Sequence, residues 1–375
     1  MQKWVSIAAL TTAAALAGCS GDAGRPFSSA QTGGDTPVLV QPDGSYPTRP
    51  LEKDTVVVKV LQTTVSSLQD APSIQQGLDQ NLAHMEEMAE KACSTGKKPD
   101  FLLYHEFPLT GYSSGTRDEK LKYTVQIPGP ETDRLGKVAK ACDSYLIFGT
   151  YATDADWPGH ILSINAVINR DGMVVKKFWK SRNIKNYSEK TEIPTTTVEN
   201  VRDKYRAMYG IDEEFPVLQT EYGNIAVSTV QWDPFVFAAF AMKGTEIMFR
   251  TATLFQENDV TAMAKANDFY STMANIAFDV PGYKAGESVI VDNKGKLMAK
   301  SLSKTEDDII EAEIPIAAFR KNRRLPSFAL EMSMPVISQY VQEHPLNHLD
   351  LPAGELPQTG EDMKALLNGV SRYDN

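Results

Sequence analysis

The sequence predicts a mixed α/β fold. From Thr55 onward, strand-like runs alternate with helix-like segments, which is typical of layered α/β proteins. A second strand–helix–strand unit occupies residues 223–251, where GNIAVSTV precedes an apolar helix-like run and then TEIMFRT. Between two strand-like runs, Asp171-Gly172 indicates a β-hairpin. Together these features predict mixed sheets covered by helices.

Length and charge limit the possible functions. The chain has 375 residues, enough for one large domain or two modest ones with a substantial core. Its formal net charge of −10 argues against a nucleic-acid partner, because phosphate binding requires an excess of Lys and Arg on one face.

The first 19 residues, MQKWVSIAALTTAAALAGC, are predicted to be an export signal. The apolar run is too short for a good transmembrane helix. Its ending, LAGC, resembles the lipobox of bacterial lipoproteins, which implies that Cys19 is lipidated and becomes the mature N-terminus. The alternative is an ordinary cleaved signal. By the same resemblance, Ser20 favours the outer membrane, facing the periplasm, if the source is Gram-negative.

The rest of the chain divides into three parts. Residues 20–53 are dominated by Gly, Ser, Pro and Asp and are predicted to be a flexible tether. Residues 54–323 carry the regular patterns and are predicted to form one domain. Residues 324–375 are Pro-rich and form a C-terminal extension, with a short helix predicted over 360–370.

The first half of the domain reads as strand, helix, strand, helix, strand and hairpin. TVVVKVLQT has a run of β-branched residues, and residues 78–93 place apolar side chains on one helical face. FLLYHE is a buried strand, residues 131–142 are helical, and YLIFGTY is the next strand. The hairpin pairs ILSINAVIN with MVVKKFW.

The second half begins with a polar segment, 184–214, that holds one helix at most. The strand–helix–strand unit follows, with its helix over 234–243, and a further helix is predicted over 258–275. SVIVDNKGKLMAKS forms a hairpin that turns at Asn293-Lys294-Gly295, and DIIEAEIPI is the last strand.

Two charged residues stand at the ends of predicted strands. Glu106 ends FLLYHE and is a candidate general acid or base, or else a solvated strand-end carboxylate. Lys180 ends the second hairpin strand, where a lone Lys is more often a surface residue that covers apolar area with its stem.

With their spacing, these residues resemble the nitrilase, or carbon–nitrogen hydrolase, superfamily. HEFPLTGY resembles the block that holds the catalytic Glu, here Glu106. INAVINRDGMVVKKFWK resembles the block that ends in the catalytic Lys, here Lys180. GNIAVSTVQWDPFVFAAFAMKGTEIMF resembles the block of the nucleophilic Cys. VLQT, ESVIVDNKGKLMAK and DIIEAEI resemble the first strand, the last hairpin and the last strand, so the resemblance covers roughly residues 55–320.

The resemblance implies a fold and a reaction. The fold is a four-layer α-β-β-α sandwich of two mixed sheets, which commonly dimerises through helices. In the reaction a thiolate attacks an amide or nitrile carbon, Glu106 would carry protons, and Lys180 would stabilise the oxyanion. A second Glu often supports such sites, and Glu189 or Glu192 would fill that role.

The nucleophile is missing from this pattern. The position of the family Cys falls on Val230, or on Gln231 if the turn has one extra residue, in which case Trp232-Asp233 matches the aromatic–acid pair that usually follows. Ser228 and Thr229 are hydroxyls nearby, but they lie inside the predicted strand. A further departure is His105, which stands where the family usually has Pro.

Two cysteines, Cys93 and Cys142, each lie near the end of a helix that precedes a strand. The family fold implies that these helices lie side by side, so a disulfide in an oxidising periplasm is one expectation and two unpaired thiols are the other. Metal binding is not expected, because Pro345 argues against a helix that presents both His344 and His348, and no cofactor is predicted.

Two functions therefore remain open. The first is a lipid-anchored pseudoenzyme that binds a small amide-like or carboxylate ligand, or a protein partner. The second is an active carbon–nitrogen hydrolase that uses a nucleophile other than Cys, or an activated water. Loss of a nucleophile costs on the order of 10⁶ in turnover in a catalytic triad, which favours the first. A homodimer or higher homo-oligomer is expected in either case.

Overall fold

The computed structural model describes residues 44–183, 193–278 and 285–372. The predicted signal segment with Cys19, and most of the predicted tether, lie outside the described residues. Glu189 and Glu192 lie outside them as well.

Sheet A is built mainly from the first half of the domain. Its strands are β1 (Val56–Gln62), β2 (Phe101–Leu103), β3 (Val125–Gln126), β4 (Tyr145–Thr153), β5 (Leu162–Ile168), β6 (Val174–Trp179) and β13 (Asp308–Ile314). Their order is β13-β1-β2-β4-β5-β6, with β3 paired to β4. The pairs β1–β2 and β2–β4 are parallel, whereas the hairpin β5–β6 is antiparallel. Sheet A is therefore mixed, as predicted.

Sheet B comes from the second half. It contains β7 (Leu218–Thr220), β8 (Gly223–Ser228), β9 (Ile247–Thr251), β10 (Tyr270–Ala274), β11 (Val289–Val291) and β12 (Leu297–Lys300). The strands lie in sequence order across the sheet. The central pairs β8–β9 and β9–β10 are parallel, and the outer pairs are antiparallel.

The helices of the described residues are α1 (Ile74–Ser94), α2 (Arg117–Leu121), α3 (Pro130–Cys142), α4 (Arg202–Tyr209), α5 (Pro234–Met242), α6 (Glu257–Asn267), α7 (Ile316–Asn322), α8 (Leu330–Ile337) and α9 (Gly360–Val370). Four of them cover the outer faces of the two sheets. Apolar side chains of α1 and α3 pack against sheet A, and those of α5 and α6 pack against sheet B.

Alternate side chains along the strands of sheet A belong to two different hydrophobic cores, one on each face of the sheet. In β2, Phe101 and Leu103 join the core between the sheets, where they meet Phe249 of β9 and its neighbours. Leu102 points to the other face and packs under α1 and α3. The result is the four-layer α-β-β-α arrangement implied by the resemblance.

One predicted helix is half wrong. Residues 258–275 were expected to be helical throughout, but α6 ends at Asn267 and residues 270–274 form β10. Asp268 takes the left-handed conformation with φ 50°, which ends the helix. The next residues, YSTMA, lie fully buried between β9 and β11, so tertiary pairing overrides the helical periodicity there.

Residues 44–53, which we call the strap, belong to the predicted tether but lie against the domain. The hydroxyl of Tyr46 donates a hydrogen bond to Glu246 at 2.9 Å, and the Asn224 amide donates to the carbonyl of Pro47 at 2.8 Å. Glu52 N–H donates to the carbonyl of Glu221. Composition alone could not reveal these contacts with distant residues.

The two helix-end cysteines are joined. Arg134 of α3 donates to Glu86 of α1 at 2.9 Å, so the helices lie side by side. Cys93 and Cys142 form a disulfide, with their Cα atoms 5.7 Å apart. This pairing is one of the two arrangements considered from the sequence.

Replacing Cys142 with Ser is expected to lower the free energy of unfolding by about 4 kcal/mol, because the bond closes a loop across a sequence separation of 49 residues. Urea denaturation monitored by fluorescence measures this loss. Cys93→Ser should give the same loss, and under dithiothreitol the parent should become as labile as either variant. A parent equally stable with and without reductant would contradict the prediction.

Candidate active site

Glu106 is held at the end of sheet A by close backbone packing. The chain leaves β2 at Leu103, and Glu106 then lies directly over Gly149 of β4. A Cβ atom at Gly149 would stand 2.5 Å from the Glu106 carbonyl oxygen, so no larger residue fits there. The N–H of Gly149 also donates to the His105 carbonyl at 3.0 Å. The glycine in YLIFGTY thus fixes where the carboxylate stands.

Lys180 approaches Glu106 from a different strand of sheet A. It directly follows β6, which β4 and β5 separate from β2. Its Nζ donates to Glu106 Oε1 at 3.1 Å. The side chains of Glu106 and Lys180 are only 6% and 14% exposed, so this is a largely buried ion pair. The structure therefore brings together the two charged residues singled out in the sequence.

Thr253 adds a hydroxyl that sequence reasoning missed. It follows β9 in sheet B, and its Oγ1 donates to Glu106 Oε2 at 2.6 Å. Each carboxylate oxygen of Glu106 thus accepts one hydrogen bond, from Lys180 of sheet A and from Thr253 of sheet B. No local pattern marks Thr253, because its role depends on the packing of one sheet on the other.

A buried ion pair fixes the turn after β8. Arg250 and Asp259 are fully buried and 2.6 Å apart. Arg250 donates to the carbonyl of Val230, and Asp259 Oδ1 accepts the N–H of Trp232 at 3.0 Å. Trp232 has φ 55°, in the left-handed region that non-glycine residues rarely occupy. The backbone is therefore held on both sides of Gln231.

Asp233 connects this turn to the helix that follows. Its carboxylate accepts the N–H groups of Phe235 and Val236 at 3.1 and 3.2 Å, which caps the N-terminus of α5. Its other oxygen forms an ion pair with Arg182, two residues beyond Lys180. The lysine segment and the turn are therefore tied together. Trp232 itself is half exposed and lies outside the cavity lining.

A cavity of about 570 Å³ opens over these residues. Glu106, Lys180, Thr253 and Gln231 all line it. Most of the remaining wall is apolar or aromatic: Val65, Phe107, Tyr112, Tyr151, Ile193, Pro194, Leu254, Phe255, Ile276 and Phe278. This size and lining are typical of small-molecule sites.

Of the residues in the turn, only Gln231 lines the cavity. Val230 is buried, 3% exposed. Ser228 and Thr229 are buried too, and Ser228 Oγ accepts the N–H of Val230 at 3.2 Å. Gln231 Oε1 is a buried oxygen with no hydrogen-bond partner among the described residues.

The described residues bring no group of three or more metal-binding side chains together. His344 and His348 are both buried, with ring centroids 6.3 Å apart, and the Asn200 amide lies 3.2 Å from His348 Nε2. The cavity lining includes neither histidine.

His105, the residue that departs from the family pattern, directly precedes Glu106 in the chain. It is fully buried, its Nδ1 accepts the N–H of Phe107 at 3.2 Å, and its Nε2 lies 3.0 Å from Thr63 Oγ1. Because Nδ1 is an acceptor, the ring is neutral and Nε2 carries the proton. Burial lowers the pKa of His105 to about 3.

This pKa makes stability depend on pH. The unfolded imidazole, with a pKa of about 6.5, binds a proton more readily than the folded one, so acid favours unfolding between about pH 6.5 and pH 3. In urea titrations from pH 4 to pH 6, His105→Gln should reduce the slope of unfolding free energy against pH by about 1.4 kcal/mol per unit. The readout is the slope, so a uniform loss of stability does not affect it, and parallel curves would refute the prediction.

Comparison with known proteins agrees with this architecture. The chain matches the carbon-nitrogen hydrolase family over residues 64–324. It is 28% identical over 206 residues to omega-amidase NIT2 of Xenopus tropicalis, which covers 52% of this chain and 70% of that protein.

Two solved structures are similar in fold. One is a double mutant of the amidase from Nesterenkonia sp. AN1 in complex with acrylamide, with a TM-score of 0.56 and 16% identity over 76% of this chain and 98% of that one. The other is a carbon-nitrogen hydrolase from Helicobacter pylori G27, with a TM-score of 0.56 and 17% identity over 76% of this chain and 95% of that one.

The helices of the described residues include none long and apolar enough to cross a membrane. Because the family match extends over more than half of the sequence, the chain belongs to the carbon-nitrogen hydrolase family, within the nitrilase superfamily.

Proposed function

We propose that this protein is a lipid-anchored member of the family whose cavity binds an amide-like or carboxylate ligand without thiol chemistry. The supporting observation is the side chain at the turn. Gln231 lines the same cavity as Glu106 and Lys180, and it occupies one of the two positions at which the family pattern would have its Cys. A carboxamide is not a nucleophile, so the site keeps its charged pair but has lost the group that forms the covalent intermediate.

The chemistry of Gln231 favours an amide ligand. Gln231 Oε1 is buried without a partner, which is unfavourable by about 1–3 kcal/mol, and rotation of this side chain towards the cavity would let an N–H of a bound ligand relieve that cost. A carboxamide offers both a donor and an acceptor, so it can pair with another carboxamide in two parallel hydrogen bonds. Lys180 beside it suits a carbonyl or carboxylate oxygen.

The cavity wall indicates what the rest of the ligand is like. Phe107 stacks on Tyr151 with ring centroids 4.2 Å apart, and Phe255, Ile276 and Phe278 complete an apolar surface. A volume of about 570 Å³ is larger than a one- or two-carbon amide needs. The ligand class proposed is therefore an amide or carboxylate with an apolar or aromatic body. The named amidase relatives agree with an amide at the polar end.

One observation favours a second function, an active hydrolase. Thr253 Oγ1 is 2.6 Å from a Glu106 oxygen and lines the cavity, so Glu106 has a hydroxyl within proton-transfer distance. In this alternative Glu106 accepts the proton of Thr253, and the alkoxide attacks the amide carbon while Lys180 stabilises the oxyanion. Glu106 then gives the proton to the leaving nitrogen as the C–N bond breaks, and water hydrolyses the resulting ester and restores Thr253. Amidase activity in the parent that disappears in both Thr253→Val and Glu106→Gln would support it.

Restoring the thiol separates the two functions. Gln231→Cys is expected to raise hydrolysis of aromatic and aliphatic amides by at least about 10³-fold, because it returns a nucleophile to a site that still holds Glu106 and Lys180. Activity is measured as ammonia release on purified residues 20–375, which include every described residue.

Val230→Cys is the matched control, since residue 230 lies outside the cavity lining and its thiol should stay inactive. Glu106→Gln in the Gln231→Cys background should abolish the gain. A parent that already hydrolyses amides as fast as Gln231→Cys would overturn the binding-only proposal.

We also propose that the protein is exported and held at the outer membrane, facing the periplasm, through lipid on Cys19. The LAGC ending of the predicted signal supports the anchor. The disulfide between Cys93 and Cys142 supports an oxidising compartment, because disulfides persist there and are rare in the cytosol.

Cys19→Ala is expected to move the protein from the membrane fraction to the soluble fraction of the cell envelope, because the Cys thiol is the proposed lipid attachment point. Incorporation of a labelled fatty acid into the parent and not into the variant is the direct measurement. Equal labelling of both would refute the anchor.

A homodimer is the proposed assembly. The outer helix α5 is apolar along its whole length, PFVFAAFAM, and Phe235 on its solvent side is 63% exposed. A helix that is apolar all round is usually covered on every side. A second copy of the chain against this face would supply that cover.

A further inference from the structure

Residues 327–340, which we call the arm, present apolar side chains to solvent along their whole length. No residue of the arm is buried. Met332 and Val336 are 77% and 71% exposed. Exposed with them are Phe328, Leu330, Met334 and Tyr340. Contiguous exposed apolar surface of this kind marks an interaction site in a soluble domain.

Both ends of the arm are fixed on the body. Before it, Arg323 is buried and donates to the carbonyl of Asp268 at 2.9 Å. After it, Leu349 is fully buried and its N–H donates to the carbonyl of Asn200 at 3.1 Å. The exposure of the arm is therefore not that of a loose chain end.

The helix inside the arm, α8, is apolar on two faces. Leu330 and Met334 lie one turn apart on one face, and Met332 and Val336 lie about 200° further round. A flat protein surface would cover one of these faces and leave the other in water. Immersion in the acyl region of a bilayer covers both at once.

The position of the arm also favours a membrane. Gly44, the first described residue, lies against the base of the arm: a Cβ atom there would stand 3.8 Å from the backbone nitrogen of Leu325. Only 24 residues, 20–43, separate Cys19 from Gly44 in the sequence. A lipid on Cys19 would therefore hold the base of the arm close to the bilayer surface.

The charge of this region indicates which lipid surface it suits. The sequence has no Lys or Arg between Leu325 and Met363. The arm itself therefore has only apolar insertion to offer, while the exposed Lys321 and Arg324 before its base would add attraction to an anionic surface.

We propose that the arm inserts its apolar side chains into the surface of the membrane that carries the lipid anchor. For its location this rests on the proposed anchor at Cys19, but the insertion itself depends only on the arm. The second contact would fix the orientation of the body relative to the membrane, which a tether alone does not do.

The test uses residues 20–375, which lack Cys19 and any lipid, with vesicles of phosphatidylcholine and phosphatidylethanolamine. The parent is expected to co-sediment with the vesicles. Met332→Ser/Val336→Ser should bind at least about tenfold more weakly, because two side chains lose their apolar burial. Both changes are on exposed positions, so circular dichroism and thermal unfolding should match the parent.

Leu302→Ser is the matched control, because Leu302 is 88% exposed but lies outside the arm. Its vesicle binding should equal that of the parent. A parent that does not bind vesicles, or a double variant that binds equally well, would overturn the proposal. So would a double variant that falls from dimer to monomer in sedimentation with unchanged vesicle binding, which would assign the arm to a second copy of the chain. Because the test protein carries no lipid, failure of the Cys19 anchor shows in cell fractionation and not here.

Discussion

Glu106 and Lys180 form a largely buried ion pair where the ends of the two sheets meet, and the site is organised around it. Removing one partner of such a pair leaves a buried charge and costs about 3–5 kcal/mol, so stability alone disfavours the loss of either residue, whether or not a reaction takes place. The pair by itself therefore does not distinguish an enzyme from a binding protein. That distinction rests on Gln231, whose amide side chain lines the cavity, and on Thr253, whose hydroxyl donates to Glu106.

The turn after β8 holds residue 231 through the backbone of its neighbours, so its geometry does not depend on which side chain stands there. Arg250 holds the carbonyl before Gln231, and Asp259 holds the N–H after it. Left-handed backbone at a residue such as Trp232 costs about 1–3 kcal/mol and persists only where its surroundings enforce it. Here a fully buried ion pair enforces it. The backbone on both sides of Gln231 is thus fixed by groups that do not depend on its side chain, which lines the cavity.

How much of this could be predicted follows from the range of the interactions. Local signals predicted the hairpin at Asp171-Gly172, where Gly172 has φ 86°, because a tight turn depends on a few neighbouring residues. Glu106 and Lys180 were singled out by the resemblance of their two blocks to the nitrilase superfamily, since a strand end alone left each of them open to an ordinary structural interpretation. Pattern matching left Val230 and Gln231 open, since a shift of one residue inside a turn exchanges a buried side chain for one that lines the cavity.

Other parts of the site depend on contacts that no local pattern records. Thr253 contacts Glu106 across a sequence separation of 147 residues. Arg250 is a charged residue in an apolar strand, and its role becomes clear only from its ion pair with Asp259 in the folded structure. The helical periodicity of residues 258–275 continued past Asn267 in the sequence, but pairing with β9 and β11 turned its last part into a strand. Tertiary pairing thus decided where local propensity was ambiguous.

The strap affects which side of the domain the predicted tether would hold near the membrane. Its Tyr46 hydroxyl is bound to Glu246, which Arg320 also holds, and burial together with the carboxylate raises the pKa of Tyr46 to about 12. With residues 44–53 docked, 24 residues, 20–43, separate Cys19 from Gly44, the first described residue. Gly44 lies against the base of the arm, so the proposed lipid anchor on Cys19 would draw that side of the domain, and not a random one, towards the membrane.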